Sequence, residues 1–172
     1  MGLIAIIVFI RMIGAEEYGK YSIQLSFLMA SSAFTVGWLN QSTLRYYSKY
    51  QNDQQLPQIF FIGLVFSLLL GSLILVISSL VIVNNQKFPL SSIGLALFLA
   101  LCSFQFLSAV LRSQLRPNAI IVVTALQSFL GIVLPLLLLW VLGLNHKYLL
   151  LGLAGSYIAL PLVLLTINID LS

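Results

Sequence analysis

Charge is what this chain has least of. Only 7% of its 172 residues are Asp, Glu, Lys or Arg, where a soluble domain carries about 25%. With so few water-facing groups and a mean hydropathy of +1.09, the chain cannot cover itself in water. A bilayer is its natural solvent. Acids are scarcer still: four Asp and Glu in all, beside a single His. They are scattered, so no acid–base pair or metal-ligand cluster is spelled out, and enzyme chemistry is not expected. The one cysteine, Cys102, excludes an intrachain disulfide. Inside an apolar run it reads as a small buried residue. The eight Lys and Arg give a net charge of +4. They fall singly or in pairs between apolar runs and form no basic groove, so no nucleic-acid partner is expected.

Long apolar runs are what the chain does have. A membrane span needs about 20 mostly apolar residues. Five runs qualify, at about 21–44, 57–83, 88–111, 118–143 and 148–168. A shorter run covers 2–13. At about 1.5 Å per residue it reaches about 18 Å, short of a hydrocarbon core of about 30 Å. It reads as the second half of a spanning helix whose first half is absent. No basic region precedes it and Arg11 interrupts its end, so it is not read as a signal peptide. The connectors are short, and the one strongly hydrophilic stretch is YYSKYQNDQQL, residues 46–56. The expectation is a single all-α, multi-pass transmembrane domain over 1–172.

Basic loop residues set orientation. The loops after the second and fourth helices carry Arg45, Lys49, Arg112 and Arg116. Those after the third and fifth carry Lys87 and Lys147. This bias places the first set in the cytoplasm, although Arg11 and Lys20 in the first loop even the count.

The second helix has two unlike sides. At about 100° per residue, Gln24, Ser31, Thr35, Trp38, Ser42 and Arg45 form one stripe. Ser22, Ser26, Ala33, Gly37 and Asn40 lie opposite. A lipid-facing helix has no use for a polar stripe. The stripe is expected to line an aqueous or substrate-bearing cavity, and the small face to pack on a neighbour. Hydroxyls bonding back to their own helix are the plainer alternative. Gln105, Ser108 and Arg112 share a face of the fourth helix, where Arg112 can also snorkel to the headgroups. The fifth helix carries Pro135 in mid-span, a site for a kink. Gly63, Ser67 and Gly71 in the third helix recur every four residues, as do Gly152/Ser156 and Gly155/Ala159 in the sixth. Small residues at that spacing let helix backbones approach closely.

The stretch GAEEYGKY, residues 14–21, matches most of a phosphate-binding loop, G-x-x-x-x-G-K-[ST]. Tyr21 replaces the Mg²⁺-binding hydroxyl, and Glu16 and Glu17 would repel a phosphate. The stretch also joins two membrane segments, where such a loop needs a preceding strand. The same residues, Arg11-x-x-Gly14-x-Glu16-x-Tyr18-Gly19-x-Tyr21-Ser22, resemble the first-loop signature of the bacterial polysaccharide exporters. Gly37 followed by Leu44-Arg45-Tyr46 is similar to that family's second-helix ending. Leu111-Arg112-Ser113-Gln114-Leu115-Arg116-Pro117-Asn118 resembles its second cytoplasmic loop.

These exporters are lipid-linked oligosaccharide flippases of the superfamily that includes multidrug and toxin extrusion transporters. The resemblance implies two six-helix lobes facing each other across a cavity, of which this chain supplies the N-terminal one with a clipped first helix. It implies a polyprenyl-diphosphate-linked oligosaccharide as substrate, moved across the bacterial cytoplasmic membrane for surface polysaccharide synthesis. The partners would be that substrate, membrane lipid, and a missing C-terminal lobe or second copy. Under this reading Arg45 and Arg112 meet the diphosphate at the cytoplasmic mouth, since Arg is always charged and presents a planar fork of donors. Gln24 and Trp38 line the path, and Arg11 stands at the outer end. No cofactor, metal or catalytic residue is expected, and no carboxylate lies mid-span to couple an ion. The alternatives are a non-transporting remnant or structural subunit, or a membrane-bound envelope enzyme.

Overall fold

The computed structural model describes residues 3–47, 49–50, 55–83, 92–114, 117–143 and 145–166. They form six helices: α1 Leu3–Ile13, α2 Ala15–Tyr46, α3 Leu56–Val83, α4 Ser92–Ser113, α5 Pro117–Leu142 and α6 His146–Thr166. Among the described residues there is no strand. The all-α membrane expectation holds. Four helices, α2 to α5, are long and apolar enough to cross a bilayer. Exposed Phe34, Phe61, Phe129 and Trp140 stud the outside, which suits lipid tails and not water.

The helices start where local chemistry lets them. Gly14 takes a φ of +85°, a conformation that costs a glycine little. Its N–H closes α1 on the Ile10 carbonyl, and its own carbonyl accepts from Tyr18 to open α2. Glu16 and Glu17 then fill the first turn of α2, where the helix dipole favours negative charge. Lys20 bridges both at 2.8 Å. The helix therefore begins at Ala15, six residues ahead of the run's expected start near 21. The signature stretch is helical, preceded by a helix and not by a strand. Similarly, Asn145 Oδ1 accepts from the Lys147 N–H at 3.1 Å. This cap starts α6 at His146, two residues early. The expected start of the fourth helix at 88 and the end of the sixth at 168 lie outside the described residues.

α4 is the hub. It packs on α2 and α6, with α3 against α2 and α5 against α6. Leu97, Phe98, Leu101 and Cys102 of α4 are almost wholly buried. α2 and α4 are joined by a hydrogen bond from Gln105 Nε2 to Ser32 Oγ, 2.9 Å. The Cys102 sulfur lies 4.0 Å from Thr35 Oγ1. Small residues let the neighbours close in. At Gly71 an added Cβ would come within 2.6 Å of Phe98 Cζ and 2.8 Å of the Thr35 methyl. At Gly152 it would meet the Pro135 backbone at 2.5 Å. Pro135 sits inside α5, which continues from Pro117 to Leu142 as one helix.

Candidate functional site

The buried side of α2 carries Tyr21, Leu28, Ser32, Thr35, Val36, Leu39 and Thr43. The polar stripe runs along the rim of that buried side. Thr35 is inside the α2–α4 seam, Gln24, Ser31 and Ser42 are half-buried, and Trp38 and Arg45 are exposed. The hydroxyls bond back to their own helix: Thr35 to the Ser31 carbonyl and Ser42 to the Trp38 carbonyl, both 2.9 Å. The small face behaves opposite to expectation. Ser22, Ser26 and Ala33 are exposed, covered by none of the described helices. Gly37 and Asn40 continue the row half-buried. The Asn40 Oδ1 atom has no hydrogen-bond partner among the described residues. Leu28, Val36 and Leu39 fill the core instead, while the bulky Ile23 and Phe34 of the same helix also stay outside, as lipid contact allows. A row of small and polar side chains is left facing outward.

Two cations come out at one end. The Gln114 side chain, just past α4, donates to the Tyr47 hydroxyl, just past α2, at 3.1 Å. Arg45 and Arg112, in the last turns of those helices, therefore emerge together, both exposed. Neither is ion-paired to a described residue. Arg116 lies outside the described residues. Ser108, one turn before Arg112, keeps a buried hydroxyl with no partner among them, whereas Gln105 is engaged with Ser32.

Beside this end, α2 and α3 part to leave a cleft of about 420 Å³, lined among others by Trp38, Ser42, Tyr46, Tyr50, Phe60 and Gly63. Arg45 stacks over the Tyr46 ring at 5.8 Å, and Lys49 over the Tyr50 ring at 5.5 Å. Both contacts fall in the range of cation–π attraction. Trp38 and Arg45 thus share the cleft and its rim, while Gln24 stands several turns away on the same helix.

The opposite end holds a feature that sequence reasoning missed. Glu17 Oε2 is 2.6 Å from His146 Nδ1 and 3.4 Å from the His146 backbone N–H. The carboxylate ties the start of α2 to the start of α6. It belongs to the first turn of α2, ahead of the stretch from 21 that the bilayer needs. Hydrogen bonds from Lys20 first, and from His146 second, hold its pKa down to about 2. The pair is 129 residues apart in sequence, so no spacing rule reaches it. Arg11 is exposed at this end. Among the described residues no three His, Cys, Asp or Glu come together as a metal site.

A sequence model of the polysaccharide biosynthesis protein family matches residues 1–169. The chain belongs to that family. No curated protein and no solved structure matches it significantly. Family membership and the spanning helices make this a multi-pass membrane protein related to polysaccharide synthesis.

Proposed function

We propose that the chain is one lobe of a transporter that carries polyprenyl-diphosphate-linked oligosaccharide across the bacterial cytoplasmic membrane. It acts as a conduit, not an enzyme, and needs no cofactor. The observation that carries this reading is the uncovered row on α2. Ser22, Ser26 and Ala33 are exposed on a membrane-crossing helix, with Asn40 unsatisfied beside them. Polar groups at membrane depth are tolerated where they line a cavity or meet protein. A second lobe, or a second copy of this chain, across that face would complete a polar path. Lobes rocking about a midplane site are how such transporters alternate access. Arg45 and Arg112 supply cations at one mouth for the diphosphate, and Trp38 lines the cleft nearby. Arg11 serves the far mouth, while Gln24, on the stripe opposite the uncovered row, stands off this path.

The test is translocation of a labelled polyprenyl-diphosphate sugar by the full chain in liposomes. Arg45→Ala and Arg112→Ala should each slow transport by about tenfold, roughly one charged hydrogen bond, with insertion unchanged. A cysteine at Ser26 should cross-link to a second lobe. Stable insertion with no translocation would sink the proposal.

A further inference from the structure

The walls of the α2–α3 cleft are mainly apolar, built from Trp38, Leu39, Ile59 and Phe60 with Tyr46 and Tyr50 beside them. The Ser42 hydroxyl among them is spent on the Trp38 carbonyl at 2.9 Å. Gly63 leaves the floor bare, and Trp38 and Ile59 stand about half exposed at its opening. The volume of about 420 Å³ lies within the range of about 300–1,000 Å³ that small-molecule sites occupy. The rim is the opposite in character. Backbone hydrogen bonds continue the helical turn past α2 as far as Tyr50. Arg45 and Lys49 are therefore neighbours one turn apart. Each cation is held over a tyrosine that lines the cleft. Neither is ion-paired to a described acid. Glu16 and Glu17 are at the far end of the helix, bound to Lys20.

We propose that this cleft holds one acyl chain of an anionic phospholipid from the surrounding bilayer, with the lipid phosphate between Arg45 and Lys49. Apolar walls demand a hydrocarbon chain. Two adjacent cations at the rim demand a negative head. The cleft opens sideways between helices whose outer faces, with Ile62 and Phe66 exposed, already meet lipid. The bilayer supplies that ligand at high local concentration. The proposal needs only the chain's place in the membrane and not the transport reading. Arg45 is shared with that reading, whereas Lys49 belongs to the lipid site alone.

The experiment uses Trp38 as reporter. The chain has two tryptophans, and Trp140→Phe, at a position 83% exposed, leaves Trp38 alone. The full chain goes into phosphatidylcholine nanodiscs with rising fractions of chain-brominated phosphatidylglycerol or chain-brominated phosphatidylcholine. Half-maximal quenching of Trp38 should need at least about fivefold less phosphatidylglycerol, the scale of one basic residue at an anionic surface. Arg45→Gln with Lys49→Gln should bring the two lipids level. Ser42→Phe, which fills the cleft, should weaken quenching by both. Lys49→Gln alone should lower the selectivity and leave translocation unchanged, which separates this proposal from the transport one. Equal quenching by the two lipids would reduce the cleft to an ordinary aromatic belt and overturn the proposal. So would selectivity that survives in the double variant. Displacement of the brominated lipid by an equimolar isoprenyl diphosphate would also overturn it, by assigning the cleft to the transport substrate.

Discussion

Two helix seams in this molecule are built on contrary plans. In α5–α6, Gly152 lies against the Pro135 backbone and the helices touch with nothing between them. In α2–α3, Gly71 also approaches Thr35 closely, but toward the end of α2 the rings of Trp38, Tyr46 and Phe60 line a cleft. Without water to drive helices together in a membrane, close packing does that work. A seam of small residues is therefore a permanent joint. A seam propped by aromatics gives up that attraction and leaves room for something else. The two ends of α2 differ in the same sense. At its start Glu16, Glu17, Lys20 and His146 satisfy one another. At its finish Arg45 and Lys49 lean on tyrosines, with no ion pair among the described residues.

The contrast can be tested from its tightest point outward. Gly152→Ala should have the largest effect. Its Cβ would sit 2.5 Å from Pro135 Cα, and a backbone atom cannot step aside. Overpacking of this kind costs about 3 kcal/mol, read as a large drop in the thermal midpoint of the detergent-purified chain. An unchanged midpoint would mean that the seam is loose. Gly71→Ala meets a phenyl edge and a methyl at 2.6 and 2.8 Å, which can partly yield. About 1–2 kcal/mol is expected there. Glu17→Gln removes a charged hydrogen bond between α2 and α6 and should cost about 1 kcal/mol. Its pH behaviour carries a sign. Glu17 is held more acidic in the fold, so its contribution is present above the usual carboxylate range. It disappears as pH falls from about 4.5 to about 2. The wild-type midpoint should fall more steeply than that of Glu17→Gln across that window, and parallel profiles would refute the link. Gly155→Ala is the smallest and opposite in direction. Its nearest atom would be Leu134 Cδ1 at 3.7 Å, an ordinary contact. The substitution should be neutral or stabilising by up to about 1 kcal/mol through helix propensity.

That last pair shows where sequence reading stopped. The spacing of Gly152/Ser156 and Gly155/Ala159 marked both as close-approach positions, and α6 does pack tightly on α5. Only the three-dimensional register shows that Gly152 takes the contact and Gly155 does not. The six helices were legible because apolar length is a one-dimensional signal, although four of them and not five are long and apolar enough to cross a bilayer among the described residues. The start of α2 was not, because GAEEYGK looks like a polar loop until its acids are seen to suit a first helical turn. The faces of α2 were assigned by polarity, yet the core went to its larger aliphatics and left the small side open. Arg45 and Arg112 stood out as cations at helix ends, and Trp38 as a member of the α2 stripe. Tyr50 and Phe60 escaped notice, since a cleft between two helices leaves no periodic mark on either. His146 looked partnerless because its partner is 129 residues away.

Cys102 is the only thiol in the chain and is fully buried where α4 meets α2. Buried thiols of this sort are inert to water-borne reagents. The wild-type chain therefore offers a chemically silent background. A cysteine placed anywhere on its surface would be labelled alone, so the open row on α2 can be mapped residue by residue without first replacing a native side chain. The same silence serves as a clock: the rate at which Cys102 does react, under heat or mild denaturant, measures how often the central helices come apart.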